Sequence, residues 1–279
     1  MPELPEAEVV ACQLRAALVG AQVTGCWVGR KDIVREGLSS LRWYAGSVLQ
    51  QVTRYGKSVA LRFVKEQDVR YAVAELGMTG LLLFPSVQIK HPQHVHVRMT
   101  FAGGREQEVR YWNPRRFGRL SLLDPAGLDR YCTRRFGYDP LTVTLGDFQR
   151  LITSRRGRLK PLLMRQQSLA GIGNIYANEI LFRAGLHPNV LASRLPSARV
   201  ERLYHVTQEV LRNAIACGGS SVKDFFAPDG TEGQFKQCHL VYGKEGQPCP
   251  NRCGRIIRRL QSERSAFFCP RCQDPRKWR

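Results

Sequence analysis

Four cysteines near the C-terminal end set the tightest limit on how this chain folds. Cys249 and Cys253 form a C-x3-C pair, fifteen residues intervene, and Cys269 and Cys272 close with a C-x2-C. That spacing lies within the range of a four-thiolate zinc ribbon. The stretch around them is short and basic, with ten Lys and Arg in 241–279 against Glu245, Glu263 and Asp274. It has little apolar material for a core, so a metal ion can supply the folding energy instead. Two disulfides are the competing use of four cysteines, and a reducing cytoplasm argues against them. Cys12, Cys26, Cys132, Cys217 and Cys238 follow no pattern and read as reduced thiols.

Charge narrows the partner. The 279 residues carry 43 Lys and Arg against 23 Asp and Glu, a formal net charge of +20. Such a field attracts polyanions, and nucleic acid is the default expectation. Residues 152–165 hold Arg155, Arg156, Arg158, Lys160 and Arg165 with no acid among them. An anionic membrane surface is the weaker alternative, because no long basic amphipathic helix stands out. No run approaches the roughly 18 apolar residues of a membrane span, and Met1-Pro2-Glu3-Leu4-Pro5-Glu6 is unlike a signal peptide. The expectation is a soluble cytoplasmic protein.

Periodicity divides the chain. Residues 7–19 read as a helix, with Val10, Leu14, Ala17 and Leu18 on one face. Short β-rich stretches follow at 47–52, 58–63, 70–76, 94–101 and 108–112, separated by turn signals at Tyr55-Gly56 and Gly103-Gly104. They suggest an antiparallel sandwich or barrel. A Pro- and Gly-bearing stretch at 124–146 marks a boundary. Helices are expected at 147–154, at 174–184 with Gly185 as the stop, and at 197–217 with Ser197 as the cap. The fold class is α+β. An N-terminal helix and an antiparallel β-sandwich or barrel span 1–130, a helical domain 131–240, and a zinc ribbon with a basic tail 241–279.

Five motifs in order resemble one family. Met1-Pro2-Glu3-Leu4-Pro5-Glu6, Leu76-Gly77-Met78, Asn113-Pro114-Arg115-Arg116-Phe117-Gly118, Gly171-Ile172-Gly173-Asn174-Ile175-Tyr176 and the four terminal cysteines are similar to the formamidopyrimidine-DNA glycosylase / endonuclease VIII family. The resemblance runs from Pro2 to Cys272. It implies a bifunctional repair enzyme that excises oxidised bases from duplex DNA and then cuts the abasic strand. It also implies a β-sandwich, a helix–two-turn–helix domain and one structural zinc on Cys249, Cys253, Cys269 and Cys272.

The chemistry of Pro2 fits that implication. Initiator methionine is normally removed before proline, leaving a secondary amine at the terminus. An α-amino group has a pKa of about 7.7–8.0 against about 10.4 for lysine. It is therefore far more often a free nucleophile at neutral pH. Attack on the sugar C1′ gives an iminium cation that acidifies the C2′ protons for elimination. By resemblance Glu3 is the general acid, Lys57 donates a proton during β-elimination, and Arg264 is linked to δ-elimination. A guanidinium is a poor acid, so Arg264 is read mainly as a phosphate clamp. Met78, Arg115 and Phe117 match the residues that fill the gap left by the extruded base; singly, Met78 and Phe117 would more often be core. Asn174, Arg155, Lys160 and Tyr242 match DNA-contacting positions, as does one of His91 and His94.

Three departures stand out. Glu75 replaces a common His before Leu76-Gly77-Met78, with one fewer hold on phosphate expected. Asn113 replaces a frequent Asp, and the first cysteine pair is spaced by three residues instead of two. The segment 220–243, with Val222-Lys223-Asp224-Phe225 and Asp229-Gly230, resembles a lid over damaged purines, which points to 8-oxoguanine and formamidopyrimidines. The alternatives are an oxidised-pyrimidine enzyme of the same family and a non-catalytic zinc-ribbon nucleic-acid binder. A monomer associated with the bacterial nucleoid through DNA is expected.

Overall fold

A computed structural model describes residues 2–221, 225–261 and 264–278. Val222, Lys223 and Asp224 of the expected lid, Glu263 beside Arg264, and the final Arg279 lie outside the described residues. The chain forms two compact units, residues 1–134 with 215–236 and residues 135–214 with 237–279.

The first unit opens with α1 (Leu4–Leu18). The helix starts three residues earlier than periodicity predicts, for a local reason. Pro5 lies in the first turn, where its missing N–H has no intrahelical partner to lose. The Glu6 carboxylate also accepts the Glu3 backbone N–H at 2.7 Å. Val10, Leu14 and Leu18 then point into the core and are fully buried. Each such side chain is worth about 1.5–3 kcal/mol relative to exposure.

The strands are β1 (Gln22–Val28), β2 (Val34–Glu36), β3 (Val48–Tyr55), β4 (Ser58–Lys65), β5 (Asp68–Glu75), β6 (Leu81–Leu83), β7 (Val95–Ala102), β8 (Glu108–Trp112) and β9 (Arg119–Leu123). They form one ladder in the order β2-β9-β5-β4-β3-β1-β7-β8-β6. Pairing is antiparallel except between β2 and β9. β1 meets β3 only at Gln22↔Val48, shifts register between Val23 and Gly25, and then runs along β7. Through that corner the ladder folds into two layers, the usual consequence of a bulge in a long sheet. Leu49, Phe63 and Ala74 from one side share a core with Val97, Met99 and Tyr111 from the other and with α1. This is the expected sandwich.

The stretch 124–146, read from the sequence as a boundary, begins with α2 (Pro125–Arg135). Its start is local chemistry: the Asp124 carboxylate accepts the Gly127 N–H at 2.6 Å, with Pro125 in the first turn. Residues 215–236 pack with the first unit. The Ser220 N–H reaches the Glu6 carboxylate at 2.7 Å, Asp229 and Gln13 exchange two hydrogen bonds, and Phe225 enters the core.

The second unit holds α3 (Leu145–Thr153), α4 (Leu159–Met164), α5 (Asn174–Ala184) and α6 (Ser197–Ala216). Thr144 caps α3, accepting the Asp147 N–H at 3.1 Å, so the helix begins two residues before the expected 147. α5 ends on Gly185 in the left-handed region, as expected. Ser197 is the first helical residue of α6 and not its cap; the Pro196 carbonyl accepts the Arg199 and Val200 N–H groups. The hairpin of β10 (Arg258–Leu260) and β11 (Ala266–Phe268) follows. No helix among the described residues is long and apolar enough to cross a membrane.

Candidate active site and zinc centre

In the first unit, Pro2 is buried at the head of α1 and Glu3 is 2 % exposed. Glu6 fixes both. One carboxylate oxygen takes the Glu3 N–H and the other the Ser220 N–H, each at 2.7 Å. Gly219 has to be glycine here, because a Cβ would stand 2.9 Å from Glu6 Oε1 and φ is +83°. Glu3 and Ser220 therefore share one buried carboxylate. At the level of sequence Glu6 reads only as a first-turn acid, because its second partner lies 214 residues away.

Lys57 follows Gly56 in the two-residue turn between β3 and β4, where Tyr55 pairs with Ser58. Gly56 has φ +57°, as tight hairpins of this kind demand. α1 packs against this hairpin. Beside the turn, Ser58 Oγ and Tyr131 Oη are 3.0 Å apart. Glu75 lies in register with Ser58. Its carboxylate pairs with Arg35 at 3.4 Å, and its side chain is only 15 % exposed. Burial pushes its carboxyl above the ordinary range, against the pull of Arg35. Glu75 is thus paired with Arg35 inside the first unit, while its burial outweighs that attraction.

Met78 is 40 % exposed and Phe117 57 %. The Arg115 guanidinium sits 5.0 Å from the centre of the Phe117 ring. Apolar side chains left in water on two neighbouring loops are not core residues, which removes the bland reading of Met78 and Phe117. His91 is exposed and His94 half-buried, their rings 5.9 Å apart.

In the second unit, Glu179 organises the interior. Its carboxylate is wholly buried and accepts the backbone N–H groups of Leu240, Val241 and Tyr242 at 2.9–3.0 Å, with Arg183 as counter-ion. Breaking such a buried pair typically costs about 3–5 kcal/mol. Sequence reading did not single out Glu179, although an acid inside the apolar run of α5 was a visible signal. Next to it, Asn178 Oδ1 accepts the Phe267 N–H of β11 at 2.7 Å, and Asn178 Nδ2 donates to the Asn174 carbonyl at 2.6 Å. Asn174 is the first residue of α5, after Gly173 at the cap. The Tyr242 ring packs on Phe267 at 5.4 Å.

Lys160, expected at the DNA, is 5 % exposed. Its ammonium donates to the carbonyls of Arg264 and Ser265 at 3.1 and 2.7 Å. It positions the hairpin turn that presents Arg264, whose own side chain is exposed. Arg155 is exposed, beside Arg156 and Arg158.

The four cysteines converge. Their sulfur atoms lie within 4.8 Å of one another. Cys249 Sγ is 3.7 Å from Cys272 Sγ, and Cys253 Sγ is 3.4 Å from Cys269 Sγ. A disulfide needs about 2.05 Å, whereas four thiolates about 2.3 Å from a tetrahedral zinc stand about 3.8 Å apart. The Cys272 N–H points at Cys269 Sγ and the Asn251 amide at Cys272 Sγ, hydrogen bonds that suit thiolates. The donor set fits one structural zinc ion.

Comparison with known proteins agrees along the whole chain. Residues 1–120 match the formamidopyrimidine-DNA glycosylase N-terminal domain, 136–226 the H2TH domain of the same enzyme, and 246–275 the zinc finger found in FPG and IleRS. The formamidopyrimidine-DNA glycosylase of Solibacter usitatus is 37% identical over 98% of this chain and 99% of its own length. That of Alkalilimnicola ehrlichii is 38% identical over 98% and 100%. Among solved structures, the MutM (FPG) protein of Thermus thermophilus superposes with a TM-score of 0.84 at 33% identity, covering 98% of both chains. A Lactococcus lactis FPG mutant bound to Fapy-dG containing DNA gives 0.86 at 28%, covering 98% of this chain and 100% of that one. A two-layered β unit, a helical unit and a four-thiolate zinc hairpin together define a base-excision DNA-repair glycosylase. The chain belongs to the formamidopyrimidine-DNA glycosylase family.

Proposed function

We propose that this enzyme excises oxidised purines, 8-oxoguanine and formamidopyrimidines, from duplex DNA and then cleaves the abasic strand by β,δ-elimination. The observation that carries the reading is the buried Pro2–Glu3 pair, anchored through Glu6 to the root of the lid segment. Once Met1 is removed, the Pro2 nitrogen attacks C1′ and the damaged base leaves with a proton. Glu3 then protonates the ring oxygen O4′ as the C1′–O4′ bond breaks, and the opened sugar leaves the positive charge on the iminium nitrogen. Loss of a C2′ proton expels the 3′ phosphate, and a second elimination expels the 5′ phosphate, with Lys57 supplying a proton and Arg264 holding phosphate. The lysine turn, the two insertion loops and the N-terminal pair all belong to residues 1–130. Residues 131–240 hold DNA through Arg155 and Asn174, and Tyr242 and the zinc hairpin continue that surface in 241–279. The protein acts in the cytoplasm as a monomer on the bacterial nucleoid.

The test is incision of duplexes that each carry one defined lesion. We expect 8-oxoguanine and formamidopyrimidine strands to be cut much faster than strands with an oxidised pyrimidine. The reverse ranking would overturn the purine assignment.

Arg115 gives a sharper expectation. With the damaged guanine gone from the stack, cytosine exposes O2 and N3, two adjacent acceptors. A guanidinium offers paired donors and no acceptor. Adenine would present an N6 donor to one of those donors. A good bidentate pair discriminates by about 1–3 kcal/mol, roughly 5- to 150-fold. Single-turnover excision should therefore favour 8-oxoguanine opposite cytosine over adenine by that factor. In Arg115→Ala the two rates should converge, and an unchanged ratio would show that another group reads the orphaned base.

A further inference from the structure

The two insertion loops are held by different parts of the sheet. Met78 follows β5, whereas Arg115 and Phe117 lie between β8 and β9. For a methionine, an arginine and a phenylalanine to enter one gap, the loops need a common reference. Gly77 provides close approach: its φ is +61°, and a Cβ there would stand 2.4 Å from the Gly118 nitrogen. A Cβ on Gly118 would in turn meet the Glu75 carbonyl oxygen and Tyr111 Oη, both at 2.2 Å. The loops touch backbone to backbone.

Asn113 supplies the reference. It is wholly buried. Its Oδ1 accepts the Arg116 N–H at 3.0 Å, holding Arg116 at φ +55°, a conformation rare outside glycine. Its Nδ2 donates to the Gly118 carbonyl and to Tyr111 Oη, each at 3.2 Å. Tyr111 Oη donates onward to the Glu75 carbonyl at 2.6 Å. Because Tyr111 receives one proton and gives its own, the chain runs one way, from the Asn113 amide through the phenol to the strand that carries Met78. A single carboxamide thus shapes the Arg115 turn and ties it to the Met78 loop. Thr79 adds a weaker stitch, accepting the Arg115 N–H at 3.4 Å.

We propose that Asn113, acting through Tyr111, is a positioning residue that sets opposite-base specificity by fixing the Met78 loop against the Arg115–Phe117 loop. The inference rests on the gap-filling role proposed for those three residues. Tyr111→Phe removes only the phenolic oxygen, at nearly constant volume, and cuts the tie at its middle. Asn113→Ala cuts it at its source and also frees the Arg116 turn.

The experiment compares single-turnover excision of 8-oxoguanine opposite cytosine and opposite adenine in wild type, Tyr111→Phe, Asn113→Ala, the double variant and Arg115→Ala. Thermal melting and zinc content serve as folding controls. We expect Tyr111→Phe to lower the cytosine-to-adenine ratio several-fold while staying folded, melting only some degrees below wild type for the buried hydrogen bonds it loses. Asn113→Ala should bring the ratio close to one, and the double variant should match Asn113→Ala, because both changes break one chain. If Asn113→Ala does not fold, Tyr111→Phe alone decides. A wild-type ratio in folded Tyr111→Phe, or independent losses that multiply in the double variant, would overturn the proposal. If Arg115→Ala also keeps the wild-type ratio, the gap-filling reading itself falls. If Arg115→Ala loses discrimination and Tyr111→Phe does not, only the positioning role falls.

Discussion

Borohydride should cross-link this enzyme to 8-oxoguanine DNA, and acetylating the N-terminus of a Pro2→Gly variant should reduce the cross-link to background. Pro2→Gly by itself keeps a terminal amine and is expected to retain some trapping. The acetyl group removes the nitrogen lone pair, and with it the iminium and the acidified C2′ protons. Base release and strand cleavage should be lost together, since both begin with attack by that amine. The pH dependence has a definite sign. Only the free amine attacks, so trapping should rise with pH as the terminal amine gives up its proton. Equal trapping before and after acetylation would remove the terminal amine from the mechanism, and a protein that never traps would revive the non-catalytic DNA-binding reading.

Loss of zinc should be nearly as severe, through binding instead of chemistry. Structural zinc contributes about 10–16 kcal/mol to small domains of this kind, and the hairpin's apolar cluster is limited to residues such as Phe182, Val241 and Ile257 around the cysteines. Cys249→Ser is therefore expected to unfold the hairpin while the β-rich unit, with its separate core, keeps its fold. Metal analysis should find one zinc per chain in wild type and much less in the variant. DNA affinity should fall sharply. Its salt dependence should flatten by about one unit for each phosphate the variant no longer neutralises, the partner of Arg264 among them. Active protein with substoichiometric zinc would refute a structural role for the metal.

Much of this molecule is legible in one dimension because its signals are local. Cysteine spacing announces the metal site, since two short loops must each bring two sulfurs to one point. Gly185 ends α5 where a left-handed residue is needed, and Gly56 allows the turn that carries Lys57. Proline at the second position and the order of the motifs mark the chemistry. What sequence could not determine are partnerships made across long separations. Glu6 is a helix-capping acid in any window around it, and only folding sets Ser220 against it. Lys160 belongs to a basic run that reads as DNA-facing, until tertiary structure buries its ammonium beneath the Arg264 turn. Glu179 sits in an apolar helix, and its reason is three backbone N–H groups about sixty residues onward. Met78 and Phe117 have the composition of core residues and are left in solvent because Asn113, Tyr111 and two glycines hold their loops at the surface. A short motif encodes which atoms can donate, accept or bind metal. Which of them meet is decided by the packing of distant strands and helices, because a buried polar group takes whatever partner the fold brings within about 3 Å.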